Sequence, residues 1–433
     1  MRKPCMKSIF FAALMLAIWL VLPACDSLDD IDDKVDRVQN SVDQVDNRLS
    51  DIENRNEVDG PVGYETARKL EALVEERRQE YGIPGMVLAI RKSGQPTWAT
   101  AAGYSDLQNQ TPMRVDDTFR IGSNSKTFTA ANVLTIMHEN GYKLDDPVVS
   151  HLPDLEIYLD DYVATHGYVL NKIRLRHLLQ HTSGLLNFTE NPEWSQLFMQ
   201  NPQHRFTPVE LLDLADIPEY GPETAPGKKV SYSNTNYVIL GLLIEEWTNS
   251  SYEDEIIHSL IQDNGLYNTD APRTGEYSMA QASPNGFWSE GYLDLNGDGT
   301  ITADEAVSDQ DPSFTWASGN LTSTAEDLLT WVTALGRGEI TPSFFSQQQN
   351  FRPFVHSLQY GLGLVNDLVD PDNPFDDLIG HQGGTLGYQS VMVYLPYEDA
   401  AVVCLYNVTL PPDVKNYAEI VVYDALELVF PGR

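Results

Sequence analysis

The stretch "FRIGSNSKTFTAANVLTIMHENG" runs from Phe119 to Gly141 and places Ser123 three residues before Lys126, where an apolar run begins. Residues three apart on a helix share a face, so this spacing brings a hydroxyl and an amine together. A serine is a weak nucleophile until a base is near, and a lysine whose pKa is lowered by burial can be that base. Alone, the pattern is weak evidence, because Ser123 could equally be the N-cap of the helix.

Two later stretches contain residues suited to the same chemistry. "VSYSNTNYVILGLLIEEWTN" places the phenol of Tyr232 two residues before the amide of Asn234, ahead of an apolar helix. "GHQGGTLGYQSVMVYLP" places His381, Gly383 and Gly384 at the start of a strand. Glycines there let a substrate approach the backbone closely, because they have no side chain.

The order Ser-x-x-Lys, Tyr-x-Asn, His-x-Gly resembles the three motifs of the penicillin-recognising serine hydrolases, which include class C β-lactamases, serine DD-carboxypeptidases and related esterases. The stretches "IRLRHLLQHTSGL", "ASGNLTSTAEDLLTW" and "QYGLGL" extend the resemblance over about residues 66–430. It implies an α/β (α+β) fold: an antiparallel sheet flanked by helices, with a mainly helical subdomain. It implies no cofactor for catalysis.

The resemblance also implies roles for the residues at the matching positions. Ser123 would attack a carbonyl to form an acyl-enzyme, while Lys126 and Tyr232 share the proton transfers. The backbone N–H groups of Ser123 and Gly384 would form the oxyanion hole.

Three further residues are implied to bind substrate. Asn234 would hydrogen-bond the substrate amide, and Gly383 belongs to the strand against which the substrate lies. His381 would position a substrate carboxylate or support the Tyr232 phenol.

The function implied by this set is a serine hydrolase, in the first place a D-alanyl-D-alanine carboxypeptidase-like enzyme acting on cell-wall peptides. The alternatives are an esterase, a class C-like β-lactamase, or a non-hydrolytic penicillin-binding sensor. Class C β-lactamases more often have Lys-Thr-Gly where this chain has His381-Gln382-Gly383, which weakens the β-lactamase alternative.

Other catalytic motifs are not supported. The chain contains no Gly-x-Ser-x-Gly elbow. His177 and His181 are four residues apart, but Leu178 stands where a zinc protease needs glutamate. We therefore expect these histidines on a helix packed beside the active site.

Strand-like runs at both ends of the globular region predict a single sheet. "GMVLAIRK" and "PTWATAAG" surround a Ser-Gly turn early in the chain, and "QYGLGLVND", "GYQSVMVYLP" and "DAAVVCLYN" come late. Helices are predicted near residues 66–81 and 414–430, and the long middle is predicted to be mostly helical. We therefore expect one antiparallel sheet built from both ends of the domain.

The N-terminus reads as a lipoprotein signal peptide over residues 1–24. A basic start and a short apolar run precede "LPAC", a stretch similar to the lipobox of bacterial lipoproteins. We expect lipidation of Cys25 and a cell-envelope protein anchored to a membrane on its extracytoplasmic side, periplasmic or at the surface.

Residues 25–53 are predicted to form a coiled-coil stalk. Apolar residues recur at alternating intervals of three and four: Leu28, Ile31, Val35, Val38, Val42, Val45, Leu49 and Ile52. β-Branched residues at position d favour a homo-trimer or homo-tetramer; a lone spacer helix is the alternative. A polar, Gly/Pro-containing linker, residues 54–63, would lead to the hydrolase domain, residues 64–433.

The net charge of −35 argues against nucleic-acid binding, because phosphate contacts need clustered lysine and arginine. With three cysteines we expect no disulfide framework.

The insertion "DLNGDGTITADE", residues 294–305, resembles an isolated EF-hand-type calcium loop. We expect it to hold a structural Ca²⁺. The predicted ligands are Asp294, Asn296, Asp298, Thr300, Thr302 and Glu305.

Overall fold

The structure, a computed structural model, describes residues 62–159, 170–216, 224–355, 358–366, 375, 377–409 and 416–432. The predicted signal peptide, Cys25, the stalk and nearly all of the linker lie outside these residues. Contacts divide the chain into Met1–Tyr64 and Glu65–Arg433, and the second unit is described here.

Nine strands form one large sheet in the order β3-β2-β1-β12-β11-β10-β9-β8-β7. The strands are β1 Gly85–Lys92, β2 Trp98–Asp106, β3 Thr111–Pro112, β4 Phe119–Arg120, β5 Tyr292–Leu293, β6 Thr322–Ser323, β7 Arg352–Pro353, β8 Gln359–Tyr360, β9 Val365–Asn366, β10 Ile379–Thr385, β11 Tyr388–Leu395, β12 Ala400–Tyr406 and β13 Val408–Thr409. All pairings within this sheet are antiparallel.

The two ends of the domain meet at the centre of the sheet. Strand β1 pairs with β12, with Met86 opposite Tyr406 and Lys92 opposite Ala400. Every residue of β12 is buried, which explains its uninterrupted apolar sequence, since a strand covered on both faces has no polar side. The prediction of one antiparallel sheet assembled from both ends is confirmed.

Eleven α-helices are found in the described residues. They are α1 Tyr64–Glu80, α2 Ser125–Asn140, α3 Leu155–Tyr158, α4 Leu175–Leu179, α5 Pro192–Gln200, α6 Pro208–Asp213, α7 Thr235–Thr248, α8 Tyr252–Ile256, α9 Ala325–Gly336, α10 Phe345–Gln348 and α11 Tyr417–Val429. Helix α9 packs on β1, β11 and β12, and α11 packs on β11 and β12. None of the helices in this part of the chain is both long and apolar enough to cross a bilayer.

Helices α2 and α7 pack against each other in the core. Most residues of both helices are buried all round, as expected for helices whose apolar residues do not form a single stripe. Their N-termini carry the Ser123/Lys126 and Tyr232/Asn234 motifs, so the packing of two core helices places these motifs side by side.

The run "QYGLGLVND" is not the single strand that the sequence predicts. It forms the two short strands β8 and β9, which pair with each other. The physical reason is Gly363, whose φ of 77° breaks the extended backbone and whose missing side chain lets the loop approach Ala130 of α2.

Candidate active site

Glycines allow the turn that carries Ser123 to lie directly against strand β10. The 3₁₀ turn Gly122–Asn124 precedes α2, and Gly122 has a φ of 51°. A Cβ atom on Gly122 would lie 2.7 Å from the Gly384 carbonyl oxygen, and one on Gly383 would lie 1.9 Å from that of Ile121. Only glycine permits this approach, which brings Ser123 and Gly384 to one cleft, as an oxyanion hole requires.

Ser390 on β11 holds the turn against the sheet. Its hydroxyl lies 2.9 Å from the Ile121 carbonyl and 3.2 Å from the Gly383 carbonyl, and it accepts a hydrogen bond from the Asn124 amide at 2.7 Å. The sequence analysis missed this residue. The sequence offered only a weak indication, which is a serine within an otherwise mostly apolar strand.

The Lys126 amine contacts three oxygen atoms. Nζ lies 3.0 Å from Ser123 Oγ, 2.6 Å from Asn234 Oδ1 and 2.7 Å from the Ser318 carbonyl. The last two can only accept hydrogen bonds. A neutral amine donates to these two and directs its lone pair at the Ser123 hydroxyl, which is the geometry of a general base.

Burial favours the neutral form of this amine. Lys126 has no exposed surface, and burial lowers its pKa well below the ordinary value of 10.5. When the amine accepts a proton from Ser123, the new charge faces the rings of Tyr232 and Tyr237, whose centroids lie 4.9 and 5.5 Å from Nζ. Aromatic faces stabilise a cation, so the ammonium can exist transiently.

Tyr232 is hydrogen-bonded to Ser123, and burial raises the pKa of its phenol. The raised pKa favours the protonated hydroxyl at neutral pH, which is the form that donates a proton. Its place beside Ser123 Oγ suits it to pass a proton to the leaving group.

Replacing Tyr232 with phenylalanine removes this proton path and leaves Lys126 in place. We expect the turnover number to fall by roughly 10²–10⁴-fold, with Ser123 still able to be acylated slowly. Stopped-flow and intact-mass measurements would detect this. Wild-type turnover in Tyr232→Phe would contradict the proton-transfer role.

Asn234 is held in one orientation by a polar loop. Its Nδ2 donates to Thr189 Oγ1 at 3.1 Å, and the Thr189 hydroxyl in turn donates to Asn187 Oδ1 at 3.0 Å. Asn187 Oδ1 also accepts the Asn234 backbone N–H at 3.0 Å. These bonds direct Asn234 Oδ1 at Lys126. Asn187 and Thr189 were not identified from the sequence.

His381 is buried behind the site and does not line the cleft. Its Nδ1 lies 2.5 Å from the Gln382 carbonyl, so this nitrogen carries the proton, and Nε2 accepts from the Tyr360 hydroxyl at 3.0 Å. Burial lowers the His381 pKa to about 3. The Tyr360 ring packs edge-on against Tyr232. Of the two predicted roles, this placement favours support of Tyr232.

His181 lies directly behind Tyr232, with ring centroids 4.2 Å apart. It is fully buried, and its Nδ1 accepts the Ser233 backbone N–H at 3.1 Å. His177 lies on helix α4, as predicted, but the prediction that His181 lies on the same helix is wrong: the helix ends at Leu179, and His181 lies in the turn after it with a φ of 52°.

A cleft of about 340 Å³ opens at Ser123. One wall consists of Trp194 and Phe198 from α5 together with Phe314, whose rings stack with centroids 4.5–6.3 Å apart. Ser123, Asn234 and Gly384 lie on its surface. The nucleophile Ser123 opens onto this apolar cleft, and Lys126 and Tyr232 contact Ser123 from positions that do not line the cleft.

Comparisons with known proteins agree with this site. Residues 70–427 match the family described as Beta-lactamase. The chain is 24% identical to penicillin-binding protein 4* of Bacillus subtilis over 75% of this chain and 68% of that protein. It is also 24% identical to an unguisins hydrolase of Aspergillus campestris, over 80% of this chain but only 62% of that relative's length.

Among solved structures, the D-stereospecific amidohydrolase from a Streptomyces species superposes with a TM-score of 0.67 at 29% identity. The match covers 85% of this chain and 98% of that one. The family match spans most of the chain, so the chain belongs to the Beta-lactamase family, the penicillin-recognising serine hydrolases. The fold class predicted from the sequence is confirmed.

The loop predicted to bind calcium is held by its own backbone. Asp294 accepts N–H bonds from Gly297 at 2.7 Å and Gly299 at 2.8 Å, and Glu305 accepts one from Thr302 at 2.8 Å. Across the described parts of the chain, no group of three or more His, Cys, Asp or Glu side chains is arranged to hold a metal. Calcium binding by this loop stays a prediction.

If the loop binds Ca²⁺, adding calcium to chelated protein will raise the melting temperature by a few degrees, because a ligand that binds only the folded state stabilises it. Glu305→Gln should remove the shift. Calorimetry with Mg²⁺ as the control measures this, and an unchanged melting temperature in wild type would exclude the site.

Proposed function

We propose that this protein hydrolyses amide bonds next to D-amino acid residues through an acyl-enzyme on Ser123. The sequence-based prediction, a peptidase acting on D-Ala-D-Ala-ended cell-wall peptides, is one such reaction. The observation that carries the proposal is the buried Lys126 amine 3.0 Å from Ser123 Oγ, where burial lowers the pKa of the amine. The names of the amidohydrolase and penicillin-binding relatives support amide substrates with D-configuration.

The reaction proceeds in two halves. Ser123 Oγ bonds to the substrate carbonyl carbon as its proton passes to Lys126, and the oxyanion forms beside the backbone N–H groups of Ser123 and Gly384. The carbon–nitrogen bond then breaks, and the nitrogen leaves with a proton delivered through the Tyr232 hydroxyl. Water repeats the sequence to release the acid and restore Ser123.

The first test is intact-mass spectrometry of the full chain with a penicillin, together with hydrolysis of matched D- and L-amino acid amides. We expect hydrolysis of the D-amides alone, and slow formation of a penicilloyl adduct on Ser123. A long-lived adduct with D-Ala release from peptides would identify a carboxypeptidase. A transient adduct with hydrolysed drug would identify a β-lactamase. An adduct without turnover of any amide would identify a sensor.

We further propose that the enzyme acts at a membrane surface of the cell envelope, held by a lipid on Cys25 and assembled through the residue 25–53 stalk. The "LPAC" sequence and the heptad pattern support this. Cys25→Ser should move the protein from the membrane fraction to the soluble fraction. Deleting the heptads should lower the oligomeric mass measured by light scattering. If Cys25→Ser stays in the membrane fraction, the lipid anchor on Cys25 is contradicted. If the wild type is monomeric, assembly through the stalk is contradicted.

A further inference from the structure

The described residues that line the cleft beside Ser123 carry no charge. They include no Asp, Glu, Lys, Arg or His side chain. Their polar groups are hydroxyls and the Asn234 amide, and two of these hydroxyls, Thr315 Oγ1 and Thr385 Oγ1, are buried without a hydrogen-bond partner in the described structure. Unpartnered buried hydroxyls are costly, so both suit a neutral carbonyl or N–H of a bound substrate.

We propose, building on the function proposed above, that the site selects substrates with no charge beside the scissile bond: amides, esters and internal peptide bonds that carry a bulky apolar group. Peptides whose free C-terminal carboxylate must enter the cleft are then poor substrates.

Lys126 and His381, the basic side chains near Ser123, already have hydrogen-bond partners within the protein. Lys126 directs its hydrogens at Asn234 and the Ser318 carbonyl. His381 uses its one N–H on the Gln382 carbonyl. Neither offers a cation or a free N–H to a carboxylate.

Arg120, a buried cation close in sequence to Ser123, also does not line the cleft. Its Nη2 faces the carbonyls of Tyr277, Ser308 and Gln310 at 3.0, 3.3 and 2.9 Å. Taking a carboxylate out of water without a partner is strongly unfavourable. The net charge of −35 adds long-range repulsion of anions.

The aromatic wall of Trp194, Phe198 and Phe314 accounts for the apolar part of the preference. Trp194 is fixed by a hydrogen bond from Nε1 to the Phe314 carbonyl at 3.2 Å. A phenyl group placed against these rings leaves water and gains ring contacts. A D-phenylalanyl substrate should therefore be preferred to a D-alanyl one.

The test compares N-acetyl-D-phenylalanyl-D-alanine with its C-terminal amide, which share one acyl group and differ by one charge. We expect kcat/KM to be at least about tenfold higher for the amide. Protection of Ser123 from a fluorophosphonate label provides a second readout that needs no turnover. If the acid is cleaved as efficiently as the amide, or protects Ser123 from the label equally well, the inference is overturned. A Ser123 that no acylating probe labels would instead overturn the proposed function.

Two variants, the first with a matched control, locate the cause. Thr385→Lys should shift the acid-to-amide ratio of kcat/KM by about tenfold towards the acid, whereas Thr385→Met should not. Trp194→Leu should lower the preference for D-phenylalanyl over D-alanyl amide. Because each readout is a ratio within one protein, partial loss of folded enzyme does not alter it. Unchanged ratios in Thr385→Lys and Trp194→Leu would contradict the assignment.

Discussion

Replacing Ser123 with alanine is expected to abolish acyl transfer while leaving the fold intact. The change removes the nucleophile, so the rate should fall by roughly 10⁴–10⁶-fold. The side chain lost is small and partly exposed at the cleft, so no core cavity results. Intact-mass spectrometry with a fluorophosphonate label, and circular dichroism for the fold, would measure both parts.

The matched control is Ser343→Ala, which removes an exposed hydroxyl on the surface. This variant should form the adduct at the wild-type rate. Turnover that persists in folded Ser123→Ala would exclude the acyl-enzyme mechanism, whichever substrate is used.

Replacing Lys126 with methionine is expected to have the second largest effect and to act on activity and stability together. Without the amine, no general base contacts Ser123, and acylation should slow by a factor of about 10³ or more. In the wild type, the acylation rate should rise with pH through the lowered pKa of Lys126 and then level off, because only the neutral amine accepts the proton.

The stability effect depends on pH in a defined direction. Burial lowers the Lys126 pKa in the folded protein well below 10.5, its ordinary value. At a pH between the folded-state and unfolded-state pKa values, the unfolded chain therefore binds a proton that the folded chain does not. The free energy of unfolding of the wild type therefore rises with pH in this interval. Lys126→Met has no such dependence.

The predicted outcome is that the free energy of unfolding of Lys126→Met relative to that of wild type declines as pH rises from the lowered folded-state pKa of Lys126 towards 10.5. Urea unfolding at several pH values measures this difference. Lys228→Met, which removes an exposed lysine, is the control and should follow the wild type. If Lys126→Met also follows the wild type at every pH, the buried amine is not neutral in the folded protein, and Lys126 is not the base.

The sequence by itself identified the motif residues and the sheet. Ser123, Lys126, Tyr232 and Asn234 were predicted because the order of three short motifs resembles that of the penicillin-recognising serine hydrolases, and each motif is local in the sequence. The strands at both ends were found because their apolar runs are local as well. The predictions for residues 1–61, including Cys25 and the stalk, remain open.

Only the tertiary structure decided what surrounds the nucleophile. The Ser318 carbonyl, 192 positions from Lys126, completes the contacts of the amine, and a backbone atom has no signature in a sequence. Ser390 holds the Ser123 turn across a separation of 269 positions from Ile121. The absence of charge among the described cleft residues and the buried place of His381 follow from the packing of distant segments. Burial, which determines whether Lys126 is a base and His381 a cation, is a property of that packing and not of local spacing.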